Sequence, residues 1–125
     1  MPPNDTITIV APLAFEAGLL KRSRPARSWT ILTCGPGRRG IEIGLEPALP
    51  PAGSTVILAG TAGGLCGSRA AGSVLIAERI IDADGDHSRT PTLQPDRGDP
   101  RIGTLCTSEQ LICSPEMKAA LHART

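Results

Sequence analysis

Two glycine loops, each closing an apolar run, carry the residue types best suited to holding a ligand. Val56-Ile57-Leu58-Ala59 ends abruptly in Gly60-Thr61-Ala62-Gly63-Gly64-Leu65, which reads as a buried strand breaking into a loop. Open α/β sheets bind ligands at the carboxyl ends of such strands. Glycine lets the backbone approach a ligand closely. The Thr61 hydroxyl and nearby backbone N–H groups can then hold a ribose, a water or an anion. Read without a ligand, the same segment is a tight turn that only reverses the chain. Cys34-Gly35-Pro36-Gly37-Arg38-Arg39-Gly40 is a second glycine loop, after the apolar run Trp29–Thr33.

The remaining reactive side chains point to less. Cys34, Cys66, Cys106 and Cys113 form no C-x-x-C pair, which argues against a zinc ribbon. His87 and His122 are too isolated for a metal site. Asp82-Ala83-Asp84-Gly85-Asp86 starts like a calcium loop, but its glycine falls two places early and position 93 is Leu, so it reads as a polar turn. No metal and no cofactor are expected. Lys21-Arg22-Ser23-Arg24-Pro25-Ala26-Arg27 is the one basic run. It reads either as a phosphate or targeting patch or, more simply, as cations complementing a helix C-terminus before Pro25 stops the helix. The absence of interleaved aromatics favours the second reading. With a net charge of +1, a nucleic-acid partner is not expected.

The elements that must position these loops alternate along the chain. Thr6–Ala11 reads as a β-branched strand ended by Pro12, Leu13–Arg22 as a short amphipathic helix, and Trp29–Thr33 as a second strand. Ile41–Ala48 is expected to be a helix, closed by Pro50-Pro51. Ser73–Ala77 is a further strand, extended past a kink by Ile80-Ile81. Residues 84–100 read as a long exposed loop, and Gly103–Thr107 as a last strand. Ser114-Pro115-Glu116-Met117 opens a helix running through Leu121, with Ser at the N-cap and Pro in the first turn.

This alternation is that of an α/β fold with a mixed sheet flanked by helices. At 125 residues the chain is one domain at most. Its only aromatics are Phe15 and Trp29, so the core must rest on Ile, Leu, Val and Ala. No apolar run approaches the ~20 residues that span a bilayer. The Met-Pro-Pro-Asn-Asp start lacks the pattern of a signal peptide. A cytoplasmic protein with free thiols is expected.

Taken in order, Glu16 within Ala11-Pro12-Leu13-Ala14-Phe15-Glu16-Ala17, the Cys34-Gly35-Pro36-Gly37-Arg38 loop, the Gly60-Thr61-Ala62-Gly63-Gly64-Leu65 loop and the following Ala71-Gly72-Ser73-Val74-Leu75-Ile76 resemble the nucleoside phosphorylase and nucleosidase superfamily. The likeness is greatest to the methylthioadenosine/S-adenosylhomocysteine nucleosidases and to the hopanoid-associated phosphorylase-like proteins. It covers nearly all of this chain but only the N-terminal half or so of the family domain. It implies a nucleoside phosphorylase-like sheet, truncated before the C-terminal strands and helices, and residues 1–125 as the N-terminal part of a single domain. It also implies a homo-oligomer with a small nucleoside as partner.

The implied reaction is cleavage of the N-glycosidic bond of a purine nucleoside, adenine-type, through an oxocarbenium-like transition state. Glu16 matches the carboxylate that orients or deprotonates the attacking water, unless it is merely an exposed helix carboxylate. Thr61, with Gly60, Ala62 and Gly63 around it, matches the family's small hydroxyl residue beside the nucleophile. Gly35 and Pro36 match a backbone segment lining the same pocket. Leu111 and Ile112 match positions flanking the base, where Leu111 stands in place of the usual aromatic and stacks more weakly. Phosphorylases place an arginine shortly before the third-strand loop, where this chain has Leu58 and Ala59; together with the acidic Glu16 this favours water. Arg38 keeps phosphate as the alternative nucleophile, and a non-catalytic nucleoside-binding fragment is the other alternative. The family's Met-Glu motif, which holds the ribose hydroxyls, and its late aspartate, which helps protonate the base, are not among these 125 residues. The chain alone is therefore expected to be inactive.

Overall fold

The computed structural model describes residues 7–23, 29–45, 48, 50, 52–83, 88–91, 94 and 96–125. The α/β class holds: six strands form two three-stranded sheets, accompanied by three helices, among the described residues. The chain divides into two compact units, Met1–Ala62 and Gly63–Thr125.

In the first unit β1 (Ile7–Ala11) lies between β2 (Trp29–Thr33) and β3 (Thr55–Leu58), all parallel, in the order β2-β1-β3. Parallel neighbours need crossover connections. Here α1 (Ala14–Arg22) joins β1 to β2, and α2 (Gly37–Leu45) lies between β2 and β3. The central strand forms the core: Thr8, Ile9, Val10 and Ala11 are buried, with Ala17 of α1. α1 packs on β1 and β2, and α2 on β2. Thr6 lies outside the described residues, so β1 is seen from Ile7.

The third strand differs from the expected buried one. Val56 is 52% and Leu58 54% exposed, and Ile57 is also exposed. The reason is topological. β3 sits at the sheet edge, paired to β1 alone, and no described helix packs on it. Its apolar run reports strand propensity, not burial.

The helix expected over Ile41–Ala48 instead runs over Gly37–Leu45, and most of the expected Cys34–Gly40 loop is its first turn. Glycine inside a helix costs up to about 1 kcal/mol, yet α2 holds Gly40 and Gly44 on one face. A Cβ at Gly40 would fall 2.6 Å from the Gly35 carbonyl, and one at Gly44 2.5 Å from the Cys34 oxygen. The two glycines let the helix lie directly on the Cys34-Gly35 backbone. Lys21 and Arg22 form the last turn of α1, as expected from the dipole, and the Ser23 N–H closes it on Leu19 O. Arg24–Arg27, with the Pro25 stop, lie outside the described residues, as do Leu49 and Pro51.

The second unit has a mixed sheet. β4 (Ile76–Asp82) pairs antiparallel with β5 (Ser88–Arg89) and parallel with β6 (Ile102–Thr107). The expected kink is present as a register shift between Ala77 and Arg79. The strand starts at Ile76, however, so Ser73, Val74 and Leu75 precede it. The loop read over 84–100 contains β5, whose Ser-Arg dipeptide carries no strand signal of its own and is held by pairing with Ile80 and Ile81. Residues 84–87 of the polar turn, His87 included, lie outside the described residues, as do 92, 93 and 95. α3 (Pro115–Arg124) starts as its sequence demands: the Ser114 hydroxyl accepts the Met117 N–H at 3.1 Å, and Pro115 occupies the first turn. Among the described residues of this unit, Ile81 and Leu121 are the buried apolar side chains. No described helix is long and apolar enough to cross a membrane.

Candidate functional site

The carboxyl ends of β1, β2 and β3 meet in a short network built around Glu16. Pro12 and Leu13 follow β1 directly. Leu13 is the N-cap of α1, and its extended backbone turns the chain so that Glu16 falls three residues into the helix. The Glu16 carboxylate reaches back to accept the Leu13 N–H at 3.0 Å through Oε2, one half of a capping box. Its Oε1 accepts two bonds from Thr61, just past β3: the backbone N–H at 2.8 Å and the hydroxyl at 2.7 Å. The Ala59 N–H donates to Val10 O, carrying the β1–β3 pairing up to the loop. From the other side the Gly35 N–H donates to Pro12 O at 2.9 Å. Gly35 has φ of 90°, a conformation in which glycine is favoured.

Glu16 is 5% exposed, so it is not a solvated helix carboxylate. Burial alone would push its carboxyl group up. The Thr61 N–H, the Thr61 hydroxyl and the Leu13 N–H outweigh that and hold it below its ordinary value. Glu16 is therefore ionised at neutral pH. A carboxylate offers about four lone-pair positions, and these donors occupy three of them. One acceptor position remains on Oε2. Thr61 is exposed, and its hydroxyl, having donated its hydrogen to Glu16, keeps its own lone pairs. The exposed Thr61 hydroxyl can thus accept a hydrogen from a water or a sugar hydroxyl, backed by the Glu16 charge.

Of the residues singled out from sequence, the fold brings Glu16, Gly60 and Thr61 together, and joins Gly35 to them through Pro12 and Leu13. Pro36 follows Gly35 and is exposed; Ala62 follows Thr61 and is exposed. Gly63, Leu111 and Ile112 belong to the second unit. There Leu111 is 85% exposed, in the segment between β6 and α3, with Ile112 half-buried beside it. Arg38 lies in the first turn of α2, and its side chain is outside the described residues. Sequence reasoning missed the Leu13 N–H as a partner of Glu16, although Glu at the third helical position is a readable capping signal. It also missed Gly40 and Gly44, which seat α2 against the Cys34-Gly35 backbone.

Among the described residues no three His, Cys, Asp or Glu side chains group as a metal site would require. The described cysteines are free thiols. Comparison with family models, with curated proteins and with solved structures returned no match.

Proposed function

We propose that this chain carries the nucleophile-holding part of an N-ribosyl hydrolase site for a purine nucleoside, within a nucleoside phosphorylase-like fold. The observation that carries the reading is the pair of hydrogen bonds that Thr61 donates to one oxygen of an ionised, buried Glu16 at the carboxyl ends of parallel strands. It is supported by the ordered resemblance of the three motifs. An attacking water donates one hydrogen to the free position on Glu16 Oε2 and the other to Thr61 Oγ1, leaving a lone pair for the anomeric carbon. As the C–N bond breaks and the water oxygen bonds the anomeric carbon, the water proton held by Glu16 Oε2 passes to that carboxylate. Held below its ordinary pKa, Glu16 is a weak base and takes the proton late, once the oxygen carries the positive charge of the new bond.

Phosphate as the nucleophile is the second reading, through Arg38. Against it stands the Glu16 charge, which would repel an anion at this position. Ribose binding and protonation of the departing base are assigned to a Met-Glu motif and an aspartate that these 125 residues do not hold. Binding is therefore the decisive property of this chain. Leu111 and Ile112 are assigned to the base by the resemblance alone, and the exposed apolar β3 fits a homo-oligomer.

Calorimetric titration of the chain with adenosine and 5′-methylthioadenosine should show binding, weakened by Leu111→Asp, which replaces an exposed apolar contact for the base with a charge. A folded chain that binds neither nucleoside overturns the reading. Adenine release, counted with and without phosphate, separates the two nucleophiles. Where turnover is measurable, Glu16→Gln should lower it by roughly two to four orders of magnitude with binding little changed.

A further inference from the structure

We infer that Gly60 is a positioning residue for Glu16: its missing side chain is the space the carboxylate occupies. A Cβ built at Gly60 would lie 3.0 Å from Glu16 Oε1, 3.0 Å from Oε2 and 3.1 Å from the carboxyl carbon. Being nearly equidistant from all three atoms, it would press on the whole carboxylate, not on one oxygen. Such a contact is tighter than ordinary van der Waals separation, so one side must yield.

The carboxylate is poorly able to yield. Oε2 is tied to the start of α1 through the Leu13 N–H, and Oε1 to the β3 loop through both Thr61 donors. Moving it away from residue 60 lengthens bonds at both ends. The backbone is also held, because Ala59 donates to Val10 on the central strand. Gly60 does not have a positive φ. Its need for glycine comes from the carboxylate and not from the backbone conformation. Gly63, three residues on, meets nothing within 4 Å and supplies the control.

The inference concerns the site proposed above for hydrolysis, but it makes no use of nucleoside binding and stands or falls separately. It is tested by NMR titration of the Glu16 carboxyl group in the full chain, together with denaturant unfolding. In the unaltered chain Glu16 should titrate below ordinary glutamate. In Gly60→Ala the titration should move up, with the Thr61 amide signal shifting as its bond loosens. Gly63→Ala should change neither. Should Gly60→Ala fail to fold, a mutant cycle decides: Gly60→Ala should destabilise the chain that has Glu16 and be nearly neutral in one already carrying Glu16→Ala. Unchanged Glu16 titration in a folded Gly60→Ala chain, or an equal loss of stability in both backgrounds, overturns the inference.

Discussion

The two units each hold a carboxylate whose pKa is lowered, and they do it by opposite means. In the first, Glu16 is buried, and neutral backbone and hydroxyl donors from two separate elements hold its charge. In the second, Asp99 is bonded by the side chain and N–H of Arg101, two residues away, with the Arg101 side chain 56% exposed. That pairing, exposed on the Arg101 side, brings the half-buried Asp99 to about 2. Both shifts have the same sign, but only the first ties distant parts of the chain together. Two groups only two residues apart also meet in the unfolded chain, so this solvent-screened ion pair separates folded from unfolded little. A buried carboxylate bridging α1 and the β3 loop matters more, because it fastens two elements and is itself largely cut off from water.

The largest effect expected from breaking this contrast is on stability. Glu16→Ala removes the acceptor for Leu13 and Thr61 and should cost about 2–3 kcal/mol, the scale of hydrogen bonds to a charged group together with a lost helix cap. Asp99→Ala should leave the unfolding transition nearly unchanged, as surface substitutions usually do. Urea unfolding of both variants makes the comparison. Equal losses would mean that the buried network carries no special weight.

Glycine packing provides a second, smaller contrast within the first unit. Gly44→Ala would thrust a methyl into the Cys34 backbone and should cost about 1–3 kcal/mol, as overpacking does. Gly18 in α1 meets nothing within 4 Å, so Gly18→Ala should stabilise by up to about 1 kcal/mol through helix propensity. Opposite signs in thermal unfolding are the expected outcome.

The smallest effect is the most diagnostic of mechanism. Both carboxylates lie below their ordinary values. For Glu16, whose donor Thr61 is distant in the chain, the stabilisation is fully present above the ordinary value of 4.5 and is lost as pH falls through the lower folded value. At fixed pH, 1 M salt should bring the Asp99 titration back toward ordinary aspartate while leaving Glu16 lowered, because salt screens exposed charges far more than buried ones. Resolved carboxyl titrations at low and high salt test this.

Local signals were legible and were local in origin. The β-branched residues of Ile7–Ala11 and Trp29–Thr33 favour extended backbone, and both segments are strands. Ser114 and Pro115 announce α3 because the cap and the first turn act within a few residues. The failures have one cause in common. Val56, Ile57 and Leu58 looked buried because their run is apolar, but exposure depends on whether anything covers them, and β3 is at an edge. Ser88–Arg89 became a strand only because β4 lies beside it. α2 accepts Gly40 and Gly44 because the Cys34-Gly35 backbone passes directly against them.

By itself, then, the amino-acid sequence determined the α/β alternation, the extent of α1, the start of α3, and the presence of a carboxylate and a glycine loop after successive strands. Whether that carboxylate was solvated or buried was decided by tertiary structure alone. Glu16 and Thr61 stand 45 residues apart, and no local spacing encodes their meeting. It follows from the parallel pairing of β1 with β3, which brings the two strand ends level and leaves Glu16 facing the Thr61 N–H and hydroxyl. A hydrogen bond depends on distance in space, and distance along the chain gives no measure of it.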